Sequence, residues 1–273
     1  MIDTITGDGT PKSSRGTIQS LERASLLLGA IAAGGDSGAS LTYMAYATGL
    51  HSSTVFHLIK TLEKLGYVAR LGEGKAYFIG PGLFSLAAGA PQFQTLSLLG
   101  RPVLDALSAE TEEASHLAVR SGDQVLMLAQ ADAKGMLQIS RNMGQVRPIH
   151  ATAIGKVLLA ACAPKELSDI VKGIAYQRFT PTTICGAGAF SAEIDKVACQ
   201  KYAEDNSEFD ENIRCIAVGI PAFAGRIVVA IGISGAVWRM NDSTVAAHLV
   251  TLRRHAAELE ALLGNANTKA SAR

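Results

Sequence analysis

The sequence predicts an α+β protein of two domains, a winged helix-turn-helix domain followed by a larger α/β domain. Three observations support this prediction. Residues 17–66 contain three segments with helical periodicity, residues 67–79 contain two short strand-like segments, and strand and helix patterns alternate beyond residue 95. The chain has 273 residues, of which 48% are hydrophobic, so each domain can bury a core of its own.

The composition excludes several classes of protein. The formal net charge of +1 argues against a generally basic protein that coats nucleic acid, but it allows a local basic patch. No apolar run approaches the ~20 residues of a membrane span, and the N-terminus lacks an apolar signal region, so we expect a cytoplasmic protein. The four cysteines are spaced too widely for a zinc pattern. We therefore expect reduced thiols, no metal and no cofactor.

The first two helices are predicted from apolar spacing and capping signals. Residues 1–16 are rich in Gly, Ser, Thr, Asp and Pro and are expected to form a disordered tail. A first helix should then occupy residues 17–35. A second, over residues 41–48, follows Ser40, a favourable N-cap, and Gly49 permits a sharp turn after it. The expected buried face of the first helix consists of Leu21, Ala24, Leu28 and Ile31.

The third helix lies within "HSSTVFHLIKTLEKLGYV", residues 51–68, and has an apolar side and a polar side. Gly66 is its expected stop. By itself this pattern is typical of any amphipathic helix with a solvated face. The apolar stripe consists of Val55, Leu58, Ile59, Leu62 and Leu65, and the opposite face carries Ser53, His57, Lys60 and Lys64, with Thr54 at its edge.

The segments after the third helix define the domain boundaries. "YVARLGEGKAYFIG" is typical of two short strands around a glycine-containing turn, which completes a winged helix-turn-helix domain over residues 17–80. Residues 81–95 combine Gly and Pro with a short apolar helix pattern and are predicted as a linker helix. The second domain is expected over residues 96–264, and a frayed tail over residues 265–273.

The second domain begins with a helix from residue 95 and alternates between strands and helices after it. Two late apolar runs, "CIAVGIPAF" and "RIVVAIGISG", indicate strands that are covered on both faces. The predicted strands occupy residues 115–121, 124–132, 135–142, 215–223 and 226–235, and the predicted helices occupy residues 150–161, 164–173, 191–202 and 243–264.

In a winged helix-turn-helix domain, the polar face of the third helix is expected to bind DNA. The second helix of a helix-turn-helix enters the major groove of DNA, where hydroxyls and cations contact phosphates and base edges. Residues 12–80 contain seven basic and four acidic residues, a local charge of +3. The candidate DNA-binding residues are Ser52, Ser53, Thr54, His57, Lys60, Lys64 and, at the tip of the hairpin, Lys75.

Three motifs in a fixed order carry a resemblance to a known family. "SLTYMAYATGLHSSTVFHLIKTLEKLGYVAR" followed by "YFIGPGLFSLA" resembles the DNA-binding domain of the IclR family of bacterial transcriptional regulators. "PIHATAIGKVLLA" and "RCIAVGIPAFAGRIVVAIGISG" resemble the two signatures of that family's effector domain. The resemblance covers roughly residues 16–263. It implies a dimer or tetramer that binds a pseudo-palindromic DNA operator, more often as a repressor, and a GAF-like domain that binds a small-molecule effector and contributes to oligomerisation.

The resemblance also implies an effector site. The family's pocket is lined by the helix of the first signature, by an acid and a cysteine, and by hydroxyls on the last strand. The amides at the start of that helix would form an anion site suited to a carboxylate. The positions in this sequence that match the family's pocket are Ala153, Ile154, Asp205, Cys215, Gly232 and Ser234.

Three positions depart from the family pattern. His57 stands where the family commonly has Arg, which removes a permanent charge from the recognition helix. Ile154 and Gly232 make the pocket less polar than in members that bind very small oxo-acids. We therefore expect a carboxylic acid with an apolar or aromatic body as the effector.

Two alternatives remain open from the sequence. The first is an enzyme that uses Cys215 or Cys162 as a nucleophile with His150 or His116 as its base, although no spacing signature supports it. The second is a DNA-binding protein whose second domain only dimerises and binds no ligand. The resemblance favours a regulator that is not an enzyme.

Overall fold

The computed structural model of the chain describes residues 18–71, 74–133, 146–223 and 227–271. It divides into two compact units, Met1–Pro91 and Gln92–Arg273. The predicted strand at residues 135–142, the tip of the hairpin at residues 72–73 and the predicted tail at residues 1–16 lie outside the described residues.

The first unit is a winged helix-turn-helix, as the sequence predicted. Its three strands form one antiparallel sheet in the order β1-β3-β2. Ser40 caps α2, because its hydroxyl accepts a hydrogen bond from the amide of Tyr43 at 3.1 Å. The elements are α1 (Gln19–Ala33), β1 (Ala39–Ser40), α2 (Leu41–Thr48), α3 (Ser52–Lys64), β2 (Val68–Arg70), β3 (Ala76–Ile79) and α4 (Pro81–Ala88).

The core of the first unit corrects two of the sequence predictions. Leu21 and Leu65 were expected to be buried, but 66% and 56% of their surfaces are exposed. On α1 the buried stripe is centred on Leu27 and Ile31, four residues apart, so Leu21 lies outside it. Leu65 is the C-cap of α3, where the chain already turns away from the helix. The buried residues of this core are Leu27, Ile31, Ala39, Met44, Val55, Ile59, Leu62, Val68 and Tyr77.

The helix α3 ends where the sequence predicted, and its backbone hydrogen bonds explain why. Gly66 has a φ of +72°, a left-handed conformation that glycine adopts without steric cost. The amide of Gly66 donates to the carbonyl of Glu63 at 3.0 Å, and the amide of Tyr67 donates to the carbonyl of Leu62 at 2.9 Å. This pair of bonds is a Schellman motif, which satisfies the last carbonyls of the helix.

The second unit is built on a six-stranded sheet in the order β6-β5-β4-β9-β8-β7, with every neighbouring pair antiparallel. The linker helix predicted over residues 81–95 is replaced by α4 and the start of a longer helix, α5. The elements are α5 (Pro91–Thr111), β4 (Ala114–Ser121), β5 (Gln124–Ala131), β6 (Val146–Pro148), α6 (Ala153–Ala160), α7 (Pro164–Gly173), α8 (Ala187–Gln200), β7 (Ala203–Asn206), β8 (Ile213–Phe223), β9 (Ile227–Ala236) and α9 (Asp242–Ser271).

Both faces of this sheet are covered, which explains the near-continuous apolar strands. Large side chains such as Ile216 and Ile231 face α5 and α9. The opposite face, toward α6 and α8, carries small residues at Ala118, Ala217 and Ala230. Small side chains allow a helix to approach the sheet closely, so the second face is where α6 packs.

The C-terminal helix differs from the predicted one in length. We expected the chain to fray after Gly264, but α9 continues to Ser271. A single glycine costs a helix only about 1 kcal/mol relative to alanine, and no proline follows it in the sequence.

In the turn before α9, 69% of the Trp238 surface is exposed, and the Arg239 guanidinium lies 5.8 Å from the centroid of its ring. Within the described ranges, no helix is both long and apolar enough to cross a membrane.

Candidate functional site

Six of the seven predicted DNA-binding residues lie on α3 of the first unit. Thr54 is half-buried at the edge of the polar face of this helix, and Lys75 is exposed in the connection between β2 and β3. The other candidates are exposed along α3, namely Ser52, Ser53, His57, Lys60 and Lys64. The polar face predicted from the sequence is therefore available to a ligand of the first unit.

Aromatic and charged contacts hold the side chains of this surface. The Lys60 ammonium lies 5.0 Å from the centroid of the Phe56 ring, and the imidazole of His57 meets the same ring edge-on at 5.8 Å. The only acid of α3, Glu63, accepts a hydrogen bond from Arg70 Nε at 3.3 Å. The cations of α3 therefore stand beside a carboxylate that is already paired, a suitable arrangement for binding phosphate.

A cavity of about 220 Å³ lies in the second unit, between the sheet and the start of α6. All six residues matched to the family's effector pocket line it: Ala153, Ile154, Asp205, Cys215, Gly232 and Ser234. They come from one helix and three strands that are distant in sequence. The fold thus brings together every position of the predicted effector site.

The register of the sheet explains how three of these side chains meet. Cys215 on β8 pairs directly with Asp205 on β7 and with Ser234 on β9. Directly paired residues of antiparallel strands project from the same face, so the three form a row across the sheet. The Ser234 hydroxyl donates a hydrogen bond to Cys215 Sγ at 3.1 Å.

Gly232 and Ile154 together set the depth of the cavity. Gly232 pairs with His116 on β4 and with Ala217 on β8, so it occupies the middle of the sheet. A Cβ atom at Gly232 would lie 3.3 Å from Ile154 Cγ1 and 2.9 Å from the carbonyl oxygen of Ile216. The bulk of Ile154 therefore takes the space that a side chain at position 232 would need.

The N-terminus of α6 faces the same cavity. Thr152 caps this helix, because its hydroxyl accepts from the amide of Gly155 at 3.2 Å. The amides of Ala153 and Ile154 belong to the first turn, where no carbonyl of the same helix can accept from them. They leave hydrogen-bond donors and the positive end of the helix dipole at the wall of the cavity.

Asp205 is the most perturbed acid of the site. Burial raises its pKa to about 7, although the amide of Glu208 donates to Asp205 Oδ1 at 2.6 Å and favours the charged form. The nearby carboxylate of Glu208 also acts to raise the pKa, while the Lys156 ammonium acts to lower it. Asp205 can therefore exchange a proton near neutral pH, as a hydrogen-bond donor or an acceptor.

Behind Asp205 lies a buried ion pair that the sequence did not predict. Only 1% of the Lys156 side chain is exposed, and its ammonium lies 2.5 Å from Glu208 Oε1 and 3.5 Å from Glu193 Oε1. It also donates to the carbonyl of Glu204 at 2.9 Å. These bonds anchor the segment that carries Asp205, since Glu204 and Glu208 flank it.

The two cysteines considered as possible nucleophiles are not activated for this role. Burial raises the pKa of Cys215 well above its usual value, and burial also raises that of Cys162. A nucleophilic cysteine needs a lowered pKa, so both thiols stay protonated at neutral pH. His150 is engaged elsewhere, because its Nε2 lies 2.9 Å from the carbonyl oxygen of Gln177 among aromatic rings.

Several lining residues were missed from the sequence. Arg147 projects from β6, which was not predicted as a strand, and its guanidinium lies 5.2 Å from the centroid of the Phe209 ring. His116 was considered only as a possible catalytic base, yet it lines the cavity beside Gly232. Alternation along β4 could have placed it on the same face as Ala118. Within the described residues, no group of three or more His, Cys, Asp or Glu could hold a metal ion.

Two family models match the chain. The IclR helix-turn-helix domain matches residues 20–72, and the C-terminal domain of the bacterial transcriptional regulator IclR matches residues 94–261. The two matches fall on the two units that the structure separates.

Individual relatives agree with these models. The chain is 32% identical over 224 residues to the HTH-type transcriptional regulator KdgR of Escherichia coli (strain K12), covering 82% of this chain and 85% of KdgR. It is 28% identical over 258 residues to the HTH-type transcriptional repressor AllR of Klebsiella pneumoniae, covering 94% of each. These relatives are transcriptional regulators, not enzymes.

A solved structure shares the fold. The crystal structure of an IclR homolog from Microbacterium hydrocarbonoxydans, complexed with 4-hydroxybenzoate, superposes with a TM-score of 0.70 at 21% identity. The comparison covers 90% of this chain and 99% of that one. Because the models cover most of the sequence and its relatives align across both units, the chain belongs to the IclR family of bacterial transcriptional regulators.

Proposed function

We propose that this regulator is a ligand-responsive repressor that binds a pseudo-palindromic operator as a dimer or tetramer. Its affinity for DNA is switched by a small carboxylic acid with an apolar or aromatic body, bound in a GAF-like second domain. The observation that carries this proposal is the cavity in the second unit, which is lined by all six residues of the predicted effector site. It acts in the cytoplasm, where the operator DNA is accessible.

The chemistry of the cavity supports an acid as the ligand. Arg147 supplies a positive charge, and the start of α6 supplies amides that bind anions well. Asp205, with a pKa of about 7, can be protonated and so need not repel a carboxylate. Val125 and Met127 contribute apolar surface for the body of the ligand. The homolog of the same fold with bound 4-hydroxybenzoate is consistent with an aromatic acid.

The repressor role rests on the relatives and on the first unit. AllR is a repressor by name, and it aligns over 94% of this chain. Ser52, Ser53, Thr54 and His57 are assigned to the contacts with base edges and phosphates near the start of α3. Lys60, Lys64 and Lys75 are assigned to phosphate contacts. A ligand that binds the two states of the protein unequally shifts DNA affinity by that difference, and DNA shifts ligand affinity equally.

The experiment is the selection of genomic DNA fragments by the purified full-length protein at moderate salt, with excess competitor DNA, followed by sequencing. We expect enriched fragments that share a pseudo-palindrome, and loss of this enrichment when an effector acid is added. Enrichment that no acid alters, together with no thermal stabilisation by any acid, would favour a second domain that only dimerises. Enrichment that rises with an acid would mean that the acid strengthens operator binding instead of releasing it, and would contradict the proposed direction of the switch.

A further inference from the structure

One buried side-chain atom of a residue that lines the cavity is left without a partner. His116 is 6% exposed, and its Nδ1 has no hydrogen-bond partner within the described part of the chain. Its side chain lines the cavity floor beside Gly232. A buried donor or acceptor without a partner costs a protein about 1–3 kcal/mol, so a ligand group that bonds to this imidazole would gain affinity.

Five other polar side chains of the cavity already make a hydrogen bond. The Gln130 amide donates to Asp132 Oδ1 at 2.9 Å, and the Ser234 hydroxyl donates to Cys215. Three more lining side chains accept hydrogen bonds from backbone amides: Thr152 from Gly155, Asp205 from Glu208, and Asp210 from Asn212. His116 differs from these five residues because it has a buried side-chain nitrogen, Nδ1, without a hydrogen-bond partner in the described part of the chain.

The imidazole of His116 is neutral at physiological pH. Burial, with a smaller effect of the positive charge of Arg147, lowers its pKa to about 4, and the carboxylate of Asp132 offsets this only in part. A neutral imidazole has one N–H donor and one acceptor nitrogen. It is suited to an uncharged hydroxyl, which can donate or accept and therefore fits either tautomer. The carboxylate of a ligand is better served by Arg147, whose guanidinium keeps its charge.

We propose that His116 is a specificity-determining residue of the effector cavity, and that the effector is a hydroxylated carboxylic acid. Its hydroxyl bonds to the imidazole of His116, and its carboxylate is balanced by Arg147. This inference rests on the proposed function, because it requires an acid in the cavity. Beyond the proposed function, it specifies a hydroxyl as the second functional group of the ligand and His116 as the residue that recognises this hydroxyl.

The test uses matched acids that differ by one hydroxyl. Calorimetry on the full-length protein compares benzoate with its 2-, 3- and 4-hydroxy derivatives, and butanoate with its hydroxy derivatives. We expect at least one hydroxylated acid to bind about tenfold more tightly than its parent, the value of one well-formed hydrogen bond. His116→Leu should reduce that ratio to less than about threefold, and His116→Asn should restore part of it. Arg147→Met should weaken both acids together.

The outcomes separate this inference from the proposed function. His248→Leu, a histidine substitution on α9 away from the cavity lining, is the control and should keep the wild-type ratio. If acids bind but no hydroxylated acid is preferred, or if His116→Leu keeps the preference, the role of His116 is wrong and the proposed function stands. If no acid binds the wild-type protein, the proposal of an acid effector fails, and this inference fails with it.

Discussion

Two residues that line the cavity titrate in opposite directions. The pKa of Asp205 is raised to about 7, and that of His116 is lowered to about 4, in both cases mainly by burial. Burial disfavours the charged form of either group. The acid therefore keeps its proton to higher pH, and the base loses its proton at lower pH, so both are uncharged over a shared range below neutrality.

This opposition has a measurable effect on stability. Between pH 4.5 and 6, folded Asp205 holds a proton that the unfolded chain releases, so its contribution to stability falls as pH rises. Over the same range unfolded His116 binds a proton that the folded protein excludes, so its contribution is lost as pH falls. The two slopes have opposite signs and offset each other in the wild-type protein.

When one of the two residues is replaced, the pH dependence that the other contributes to the unfolding free energy is no longer offset. Relative to wild type, Asp205→Asn should make the unfolding free energy rise with pH by about 1.4 kcal/mol per unit, the value for one proton. His116→Leu should make it fall by a similar amount. Urea denaturation from pH 4.5 to 6 measures both slopes. Parallel profiles for all three proteins would mean that these groups titrate normally in the folded state.

At the scale of elements, the close approach of α6 to the preceding chain shapes the cavity. A Cβ atom at Gly155 would lie 2.1 Å from the carbonyl oxygen of Ile149. The backbone fixes the positions of both this Cβ atom and the Ile149 oxygen, so neither can rotate away. A side chain at residue 155 would therefore displace the first turn of α6. The amides of Ala153 and Ile154 would move with it.

Gly155→Ala should therefore destabilise the protein by about 3 kcal/mol, the cost of forcing an extra carbon into a packed interior. Gly188→Ala on α8 is the matched control, because nothing lies within 4 Å of its added carbon. That variant should be unchanged or more stable by up to about 1 kcal/mol. Chemical denaturation of both proteins measures the difference. Equal stabilities would rule out the close approach.

The exposed cations of α3 give a second prediction at this scale. If Lys60 and Lys64 each neutralise one phosphate, replacing either with alanine should weaken operator binding and flatten its salt dependence by about one in the log–log slope. Lys172→Ala, an exposed lysine on α7, should leave the slope unchanged. Titrations of a selected operator at several salt concentrations provide the measurement. An unaltered slope in Lys60→Ala and Lys64→Ala would remove the phosphate assignment.

For the whole molecule, the sequence predicted the architecture better than it predicted the site's electrostatics. The capping serine Ser40 and the stop at Gly66 act through local backbone geometry, so their roles could be read from neighbouring residues. In the second unit, the apolar patterns predicted β4, β5, β8 and β9, whereas the short strands β6 and β7 were not predicted. Leu21 and Leu27 show the limit of this reasoning, since only the packed helices decide which of two adjacent stripes is buried.

The site residues that belong to a sequence motif could be predicted. Those that reach the cavity only through the pairing of distant strands could not. Five of the six matched positions lie within the family signatures, and Asp205 was matched as the acid upstream of Cys215. His116, by contrast, reaches the cavity because β4 lies between β5 and β9. Arg147 belongs to a strand of three residues, too short for an alternating pattern. Lys156 is followed by an apolar run, and nothing local indicated that its partner would be Glu208, far along the chain.

Because of Trp238, only the second unit contains a tryptophan fluorophore. It is the only tryptophan in the sequence, and it lies exposed in the turn between β9 and α9. Tryptophan fluorescence therefore reports on the second unit and does not detect changes at α3. If association of two copies covers this turn, the emission of Trp238 should shift to the blue and be protected from soluble quenchers. Operator binding, by contrast, would have to be followed through labelled DNA or a fluorophore introduced into the first unit.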